Sequence, residues 1–318
     1  MRRFALVNIV LALVVITLGA LTRLLDAGLG CPDWPVCYGH PFPVANEAAQ
    51  TFMHWDFDSG KAWMEMIHRY VASFLGLSIL IQAILIWPRY LGAVRWLAVF
   101  LCGWVVLQGL FGMWTVTLRL WPPVVTAHLL GGAITLGCQF LIWRVLTSNR
   151  EPNWRSMWSV FALIVFFQMA LGAWTSTHYA GLACPDFPTC QGRWWVEINS
   201  EVLESPMVEG DEYLGGLASN HQRMAIQWMH RLGALLVLAA FIWLAFKQAM
   251  QRRALVICAV FLSVQITLGI LNAVLLLPLS LALLHNTGAM LLWLSALNGL
   301  TAEQTEEETH SIAQELLA

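Results

Sequence analysis

Four histidines lie inside otherwise apolar segments of the sequence, and they form two matched pairs. His68 and His128 belong to the first half of the chain, and His230 and His285 belong to the second. Because an ionisable side chain is costly inside a membrane, its presence there indicates a functional site. Neutral imidazole is a common metal ligand. The pattern therefore predicts two sites that each take two imidazoles.

Eight apolar runs carry these residues. The chain of 318 residues is 58% hydrophobic and only 11% charged, whereas a soluble domain has about 25% charged residues. This composition excludes an ordinary soluble globular protein. A helix that crosses a bilayer needs about 17–25 residues. Runs of this length are predicted at residues 4–25, 64–87, 93–118, 122–146, 155–178, 223–247, 252–276 and 280–300.

Charged residues are segregated between the two sides of the predicted membrane domain. One side is basic and carries Arg2, Arg3, Arg89, Arg95, Arg144, Arg150, Arg155, Lys247, Arg252 and Arg253. The opposite loops are mostly acidic, with Asp26, Asp33, Glu47, Asp56, Asp58, Glu197, Glu201, Glu204, Glu209, Asp211 and Glu212. The positive-inside rule predicts that both termini are cytoplasmic and that the acidic loops lie outside. A retained first span and the lack of a transit-type extension favour a bacterial inner membrane.

The chain contains an internal duplication. The loop from Cys31 to Cys37 recurs from Cys184 to Cys190, 153 positions later. His68 recurs as His230 at 162 positions, and His128 as His285 at 157. Four spans return the chain to its starting side, so both repeats share one orientation. We therefore expect an all-α membrane protein with two tandem four-helix bundles, related by a pseudo-twofold axis along the membrane normal. The expected domains are 1–150, 151–300 and an acidic cytoplasmic tail, 301–318.

The four histidines are predicted to lie at one level near the outer face. At 1.5 Å per residue, each one comes about 8–11 Å below the outer start of its span. Two histidines from neighbouring helices can ligate a haem iron from opposite faces. Arg69 and Arg231, each directly after a histidine, are then expected to pair with haem propionates.

Two other interpretations of the histidines are less favoured. They could be core residues hydrogen-bonded to neighbouring groups, but four matched residues argue against that. They could also bind zinc, but a structural zinc site normally has four ligands. The remaining histidines lie in loops, at a span end or in the tail, and are expected to bind no metal: His40, His54, His178, His221 and His310.

The two halves differ beside the first histidine of each pair. Glu65 precedes His68 by three residues, so both lie on one helix face, whereas the equivalent residue of the second half is Gln227. A carboxylate there could move protons or stabilise a developing positive charge. The alternative is that Glu65 only pairs with Arg69 at the i,i+4 spacing.

The cysteines of the two repeated loops are expected to form disulfides within their own loops, Cys31–Cys37 and Cys184–Cys190. Both pairs would face an oxidising compartment, where disulfides persist. A structural cross-link is the better interpretation for the second loop. For the first loop, a redox-active disulfide stays open as an alternative.

Together these residues resemble the haem A synthase family over nearly the whole chain. The resemblance is carried by the eight spans, the four-plus-four duplication, the histidine positions and the segments Ala27-Gly28-Leu29-Gly30-Cys31-Pro32-Asp33-Trp34-Pro35 and Glu65-Met66-Ile67-His68-Arg69. It implies that His68 and His128 hold the substrate haem O, that Glu65 is catalytic, and that His230 and His285 hold a haem b that transfers electrons.

The reaction that the resemblance implies oxidises a methyl group of haem O to a formyl group, giving haem A for terminal oxidases. Expected partners are the haem O synthase that supplies the substrate, a membrane electron donor such as quinol and the lipid bilayer. A homo-oligomer is possible, and no nucleic acid is expected. Two rivals are a dihaem b-type cytochrome that only passes electrons and a transporter, which would place its polar groups near the membrane midplane.

Overall fold

The structure is a computed structural model that describes residues 1–43, 57–148, 150–207 and 213–302. Within these ranges it is helical and has eight helices long and apolar enough to cross a membrane. They are α1 (Arg2–Leu24), α2 (Ser59–Ile86), α3 (Gly92–Thr117), α4 (Pro122–Ser148), α5 (Met157–Thr177), α6 (Asn220–Lys247), α7 (Arg252–Val274) and α8 (Leu279–Gly299). A short 3₁₀ helix spans Ser200–Leu203. The eight predicted spans are thereby confirmed.

Helices α2 and α6 begin earlier than the apolar pattern predicted. The cause is polar capping outside the apolar run, which hydropathy does not detect. The Asp58 carboxylate accepts from the amides of Gly60 and Lys61, and the Ser219 hydroxyl accepts from the amide of Gln222. With these caps, α2 begins five residues and α6 three residues before the predicted span.

The early starts correct the predicted histidine depths. His68 is about 14 Å and His230 about 15 Å from its helix start, rather than 8–11 Å. His128 and His285 remain about 9 Å from theirs. Helices α2 and α6 therefore project beyond α4 and α8 at this end of the bundle.

The same helix pairs pack in each half. In the first half α1 packs on α2 and α4, and α3 packs on the same two helices; in the second half α5 and α7 both pack on α6 and α8. The halves meet where α1 and α4 contact α8, and where α4 contacts α5. Small residues permit these close contacts. A methyl group added at Gly137 of α4 would lie 2.5 Å from the indole ring of Trp293 on α8.

The turns of the two halves share their backbone conformation. Four pairs of equivalent positions have positive φ angles at residues other than glycine, a region that such residues rarely adopt. The pairs are Asp26 with Tyr179, Tyr38 with Gln191, Arg119 with Leu276, and Leu120 with Leu277. The duplication seen in the sequence therefore extends to the fold of the connecting turns.

Some predictions fall outside the described residues. These are the acidic tail beyond Ala302, together with Glu47, His54, Asp56, Glu209, Asp211, Glu212 and His310.

Candidate functional site

Each predicted histidine pair meets in the structure. The ring centroids of His68 on α2 and His128 on α4 are 6.5 Å apart, with the ring planes at 88°. The centroids of His230 on α6 and His285 on α8 are 6.4 Å apart, at 82°. Two separate sequence regions thus produce the same arrangement, one in each half.

A glycine of a neighbouring helix packs against each imidazole ring. A methyl group added at Gly19 of α1 would lie 2.9 Å from Cε1 of His68, and one at Gly172 of α5 would lie 3.1 Å from Cε1 of His230. The corresponding distances are 3.5 Å for Gly112 beside His128 and 3.1 Å for Gly269 beside His285. These four glycines, which we call the glycine seats, leave room for each ring and limit its position.

The histidine pairs fit a haem iron held between two imidazoles. Two metal–nitrogen bonds of about 2.0 Å, with about 1 Å more from each nitrogen to its ring centre, separate the centroids by roughly 6 Å, close to the observed spacing. Within the described residues, no cluster of three or more His, Cys, Asp or Glu side chains could hold a metal ion.

The Nδ1 atoms of the four histidines differ in their contacts. Nδ1 of His68, His128 and His285 is buried without a hydrogen-bond partner among the described residues. Nδ1 of His230 lies 3.1 Å from the amide nitrogen of Gln168, and the imidazole tautomer determines which of the two donates. Hydrogen bonding at the second ring nitrogen is the usual way in which a protein orients a ligating histidine.

Glu65 is buried, with 4% of its surface exposed, and both of its oxygens are engaged. Oε1 pairs with the Arg69 guanidinium at 2.5 Å, and Oε2 accepts from the amide of Cys31 at 2.9 Å. The alternative pairing with Arg69 is therefore present in the structure, and it fixes the carboxylate one helical turn from His68. The equivalent Gln227 is also buried, but its Oε1 has no partner among the described residues.

Arg69 and Arg231 both donate hydrogen bonds to the cysteine loop of their own half. Arg69 donates to the carbonyls of Asp33 at 3.1 Å, Pro35 at 3.2 Å and Val36 at 2.8 Å. The guanidinium therefore connects this loop to helix α2, in addition to its ion pair with Glu65.

The second half repeats this contact without an ion pair. Arg231 donates to the carbonyls of Cys184 at 2.8 Å and Thr189 at 2.7 Å. Propionate binding by either arginine stays a prediction. The structure shows both arginines bound to loop carbonyls, and Arg69 also paired with Glu65.

The two cysteine loops are cross-linked as predicted. Cys31 is joined to Cys37, and Cys184 to Cys190. The free cysteines of the described residues are Cys102, Cys138 and Cys258.

An aspartate in each cysteine loop stabilises the fold of that loop. The Asp33 carboxylate accepts from the amides of Tyr38 at 2.7 Å and Gly39 at 2.8 Å. Asp186 accepts from the amides of Gln191 at 2.6 Å and Gly192 at 2.9 Å. These bonds satisfy the backbone amides where the chain turns with positive φ.

The Asp186 carboxylate also accepts from the Thr189 hydroxyl. This bond and the amides of Gly192 and Gln191 stabilise the charged form, and together they lower the pKa of Asp186 from 3.8 to about 2.

Reasoning from the sequence missed the glycine seats and the two loop aspartates. Their signal was nevertheless present, because Gly19 and Gly172, like Asp33 and Asp186, recur at the same 153-residue offset as the cysteines. Repetition alone did not indicate which neighbour each residue contacts.

The family model for the cytochrome oxidase assembly protein, COX15-CtaA, matches residues 2–297. A heme A synthase of Shewanella oneidensis is 39% identical over 91% of this chain and 92% of that protein. Heme A synthases of Caulobacter sp. strain K31 and Shouchella clausii are 29% and 25% identical, over 92% and 81% of the chain and 92% and 80% of their own lengths. The chain therefore belongs to the COX15-CtaA family.

Proposed function

We propose that this protein is a haem A synthase, which oxidises a methyl group of haem O to a formyl group by two successive hydroxylations. The observation that carries the proposal is the pair of bis-histidine sites, with ring centroids 6.5 and 6.4 Å apart. The relatives named heme A synthase, among them the Shewanella protein at 39% identity, support this function over a dihaem cytochrome or a transporter.

The first half is proposed to bind haem O, and the second half haem b. The difference between Glu65 and Gln227 supports this division, because the half with a buried carboxylate has a group able to exchange protons. Glu65 is the residue we assign to catalysis. His68 and His128 would hold the substrate, while His230 and His285 would hold the haem b, which would serve as an electron-transfer centre.

Two groups of the protein fix the position of the Glu65 carboxylate. The Cys31 amide and the Arg69 guanidinium each bind one oxygen of Glu65, so the carboxylate cannot rotate freely. A carboxylate fixed in this way can accept a proton at one oxygen while the other keeps its ion pair. Conversion of the methyl group to a geminal diol removes four electrons, which an external oxidant must accept. Loss of water from the diol then gives the formyl group without further oxidation.

We also propose that the halves are related by a pseudo-twofold axis along the membrane normal. Contacts between equivalent residues support it, since such contacts arise where an axis passes. Arg23 donates to the Ser176 carbonyl at 2.5 Å, 153 positions away. Arg144 donates to the Thr301 hydroxyl at 2.9 Å, 157 positions away and at the opposite end of the bundle.

We place the protein in a bacterial inner membrane, and the charge distribution supports an orientation with both termini cytoplasmic and the cysteine loops outside. In this orientation the haem sites lie toward the periplasmic side. A haem O synthase would deliver the substrate, and a membrane electron donor would reduce the haem b.

Pigment analysis tests the function. The protein is purified after co-expression with a haem O synthase, and its haems are extracted and separated. We expect haem b together with haem O or haem A. Protein that carries haem b alone, and leaves haem O unchanged in cells, would make it an electron carrier instead.

The ligand assignment has its own test. His230→Ala and His285→Ala should each remove haem b while the protein remains in the membrane, because each change deletes one axial ligand. His221→Ala, at the exposed start of α6, is the control and should keep it. Retention of the haem b spectrum in both ligand variants would refute the assignment.

A further inference from the structure

Gln108 of α3 has a side-chain amide nitrogen, Nε2, that is buried without a hydrogen-bond partner among the described residues. The amide lies over the backbone of Gly131 on α4, and a methyl group added at Gly131 would overlap it. The glycine therefore gives the amide its place between the two helices. A buried polar group without a partner is rare and calls for an explanation, such as a polar group of a ligand.

The equivalent residue of the second half, Gln265, has a partner for the same nitrogen. Its Nε2 donates to the carbonyl oxygen of His285 at 2.8 Å, whereas its Oε1 has no partner in the described chain. The two glutamines are related by the 157-residue offset that also relates His128 to His285. The halves thus share the residue type, but the amide donor is used by the protein itself only in the second half.

Gln108 lies near the proposed haem of the first half. It precedes Gly112, the glycine seat of His128, by four residues, so the two share one face of α3 and Gln108 is about 6 Å further from the cysteine loops. Gly131, which the amide covers, follows His128 by three residues, about 4.5 Å in the same direction. Because the substituents of a porphyrin are about this far from its iron, the amide is within reach of the haem edge that faces away from the cysteine loops.

We propose that Gln108 binds the hydroxyl group that distinguishes haem O from haem b. The inference rests on the proposed function, in which the first half binds haem O and the second half haem b. Haem O carries a hydroxyethylfarnesyl chain where haem b has a vinyl group, on the porphyrin edge opposite to the two propionates. With the propionates directed toward the cysteine loops, this edge is the one that faces Gln108.

An amide is a suitable partner for this hydroxyl. The amide nitrogen donates, the amide oxygen accepts, and a hydroxyl can do both. The hydroxyl is attached next to the porphyrin ring, so a side chain at the haem edge can reach it while the isoprenoid chain continues among apolar side chains. A site that hydrogen-bonds a hydroxyl disfavours an analogue without it, because the polar group of the site is then left unpaired. Gln108 would therefore favour haem O over haem b in the first half.

The test is a competition between the two haems for the first half. The full-length protein is purified after limited co-expression with a haem O synthase, and its haems are extracted and counted per chain. Haem O, haem A and hydroxylated intermediates all retain the hydroxyl and are counted together, and haem b beyond one per chain is assigned to the first half. This count does not depend on how far haem O is converted.

The Gln108→Met variant keeps an unbranched side chain but removes the amide. The ratio of hydroxyl-bearing haem to haem b in its first half should fall by about 2–10-fold, the range for one neutral hydrogen bond. Total haem per chain should stay at the wild-type level, because His68 and His128 are unchanged.

The matched control is Gln265→Met, which makes the same change in the second half and should leave the ratio unchanged. An unchanged ratio in Gln108→Met, or an equal fall in Gln265→Met, would overturn the inference. A loss of hydroxyl-bearing haem without a gain of haem b would also overturn it, because Gln108 would then only support the fold of the site. Wild-type protein without any hydroxyl-bearing haem would instead overturn the proposed function, and this inference with it.

Discussion

Arg23 donates a 2.5 Å hydrogen bond to the carbonyl oxygen of Ser176, and the two residues occupy equivalent positions of the two halves. The next turn repeats the relationship, because the Tyr179 hydroxyl donates to the Asp26 carboxylate at 2.7 Å, again across 153 positions. The Arg23 guanidinium also lies 3.9 Å from the centre of the Tyr179 ring. This cluster connects the halves next to the two cysteine loops.

Replacing Arg23 should weaken that connection. Arg23→Gln removes a charged hydrogen bond to a backbone carbonyl, which is worth about 1.5–3 kcal/mol, so the thermal midpoint of the detergent-solubilised protein should fall. Arg89→Gln is the control, because Arg89 donates to a carbonyl of its own helix, that of Leu85. Equal midpoints for the two variants would show that the contact does not stabilise the pairing of the halves.

The glycine seats predict which small substitutions displace haem. Gly172→Ala would place a methyl group 3.1 Å from Cε1 of His230, so the ring must move and haem b occupancy should fall. Gly76→Ala adds the same group in α2, where no atom lies within 4 Å. Absorption of the bis-histidine haem, measured per protein, should fall in the first variant and not in the second. Full occupancy in Gly172→Ala would mean that the seat does not constrain the ring.

Arg69 and Arg231, which bind the cysteine loops, should differ in how much they stabilise the protein. Arg69→Gln leaves the buried Glu65 carboxylate without its ion pair, and breaking a buried pair typically costs about 3–5 kcal/mol. Arg231→Gln removes bonds to carbonyls and a cation–π contact with Phe187. It leaves no unpaired carboxylate, since its half carries neutral Gln227, and should destabilise the protein less.

A double variant separates the ion pair from the loop contacts. Adding Glu65→Gln to Arg69→Gln should recover part of the lost stability, because no unpaired charge then remains. Thermal unfolding of Arg69→Gln, Glu65→Gln, the double variant and the wild type gives the coupling energy between Arg69 and Glu65. A coupling near zero would contradict the ion pair.

Sequence patterns predicted the helices and the pairing of the histidines. Long apolar runs define spans almost regardless of context, and the duplication assigns each histidine to its partner. The starts of α2 and α6 were missed because the caps at Asp58 and Ser219 act outside the apolar runs.

The contacts of the charged side chains could be predicted less well from the sequence. The position of Arg69 after His68 suggested a haem propionate, whereas its guanidinium contacts Glu65 and the carbonyls of the first cysteine loop. These carbonyls belong to a loop about 30 residues earlier in the chain. Such contacts depend on the fold of the loop, which the spacing of residues along the chain does not encode.

Asp186 makes the second cysteine loop sensitive to acid. Because the pKa of Asp186 is lowered from 3.8 to about 2 by hydrogen bonds from Thr189 and the Gly192 and Gln191 amides, the ionised form supports the loop above about pH 4. That support should be lost as the pH falls toward 2. Hydrogen exchange should show declining protection factors for the Gln191 and Gly192 amides over this range.

The matched variant removes the charge at every pH. Asp186→Asn should lower the protection of Gln191 and Gly192 at neutral pH and leave Gly39 of the first loop protected. Unchanged protection of all three amides would rule out the carboxylate as the loop's support.

Conversion of haem O by the Glu65→Gln variant is the most direct test of the central claim that the first half performs the oxidation. The change gives the first half the amide that the second half already has at Gln227. The size of the side chain is kept, but the amide can accept only one of the two hydrogen bonds that Glu65 takes from Cys31 and Arg69. The four histidines are unchanged, so both haem sites should remain filled. Positioned acid–base groups typically contribute about 10²–10⁴ in rate, and haem A formation should fall by a factor of this order.

The matched control is Gln227→Ala, which should leave haem A formation close to that of the wild type. Haems extracted from the Glu65→Gln protein, purified after co-expression with a haem O synthase, should be haem b with haem O or a hydroxylated intermediate. Wild-type yields of haem A from Glu65→Gln, or a larger loss from Gln227→Ala, would contradict the account.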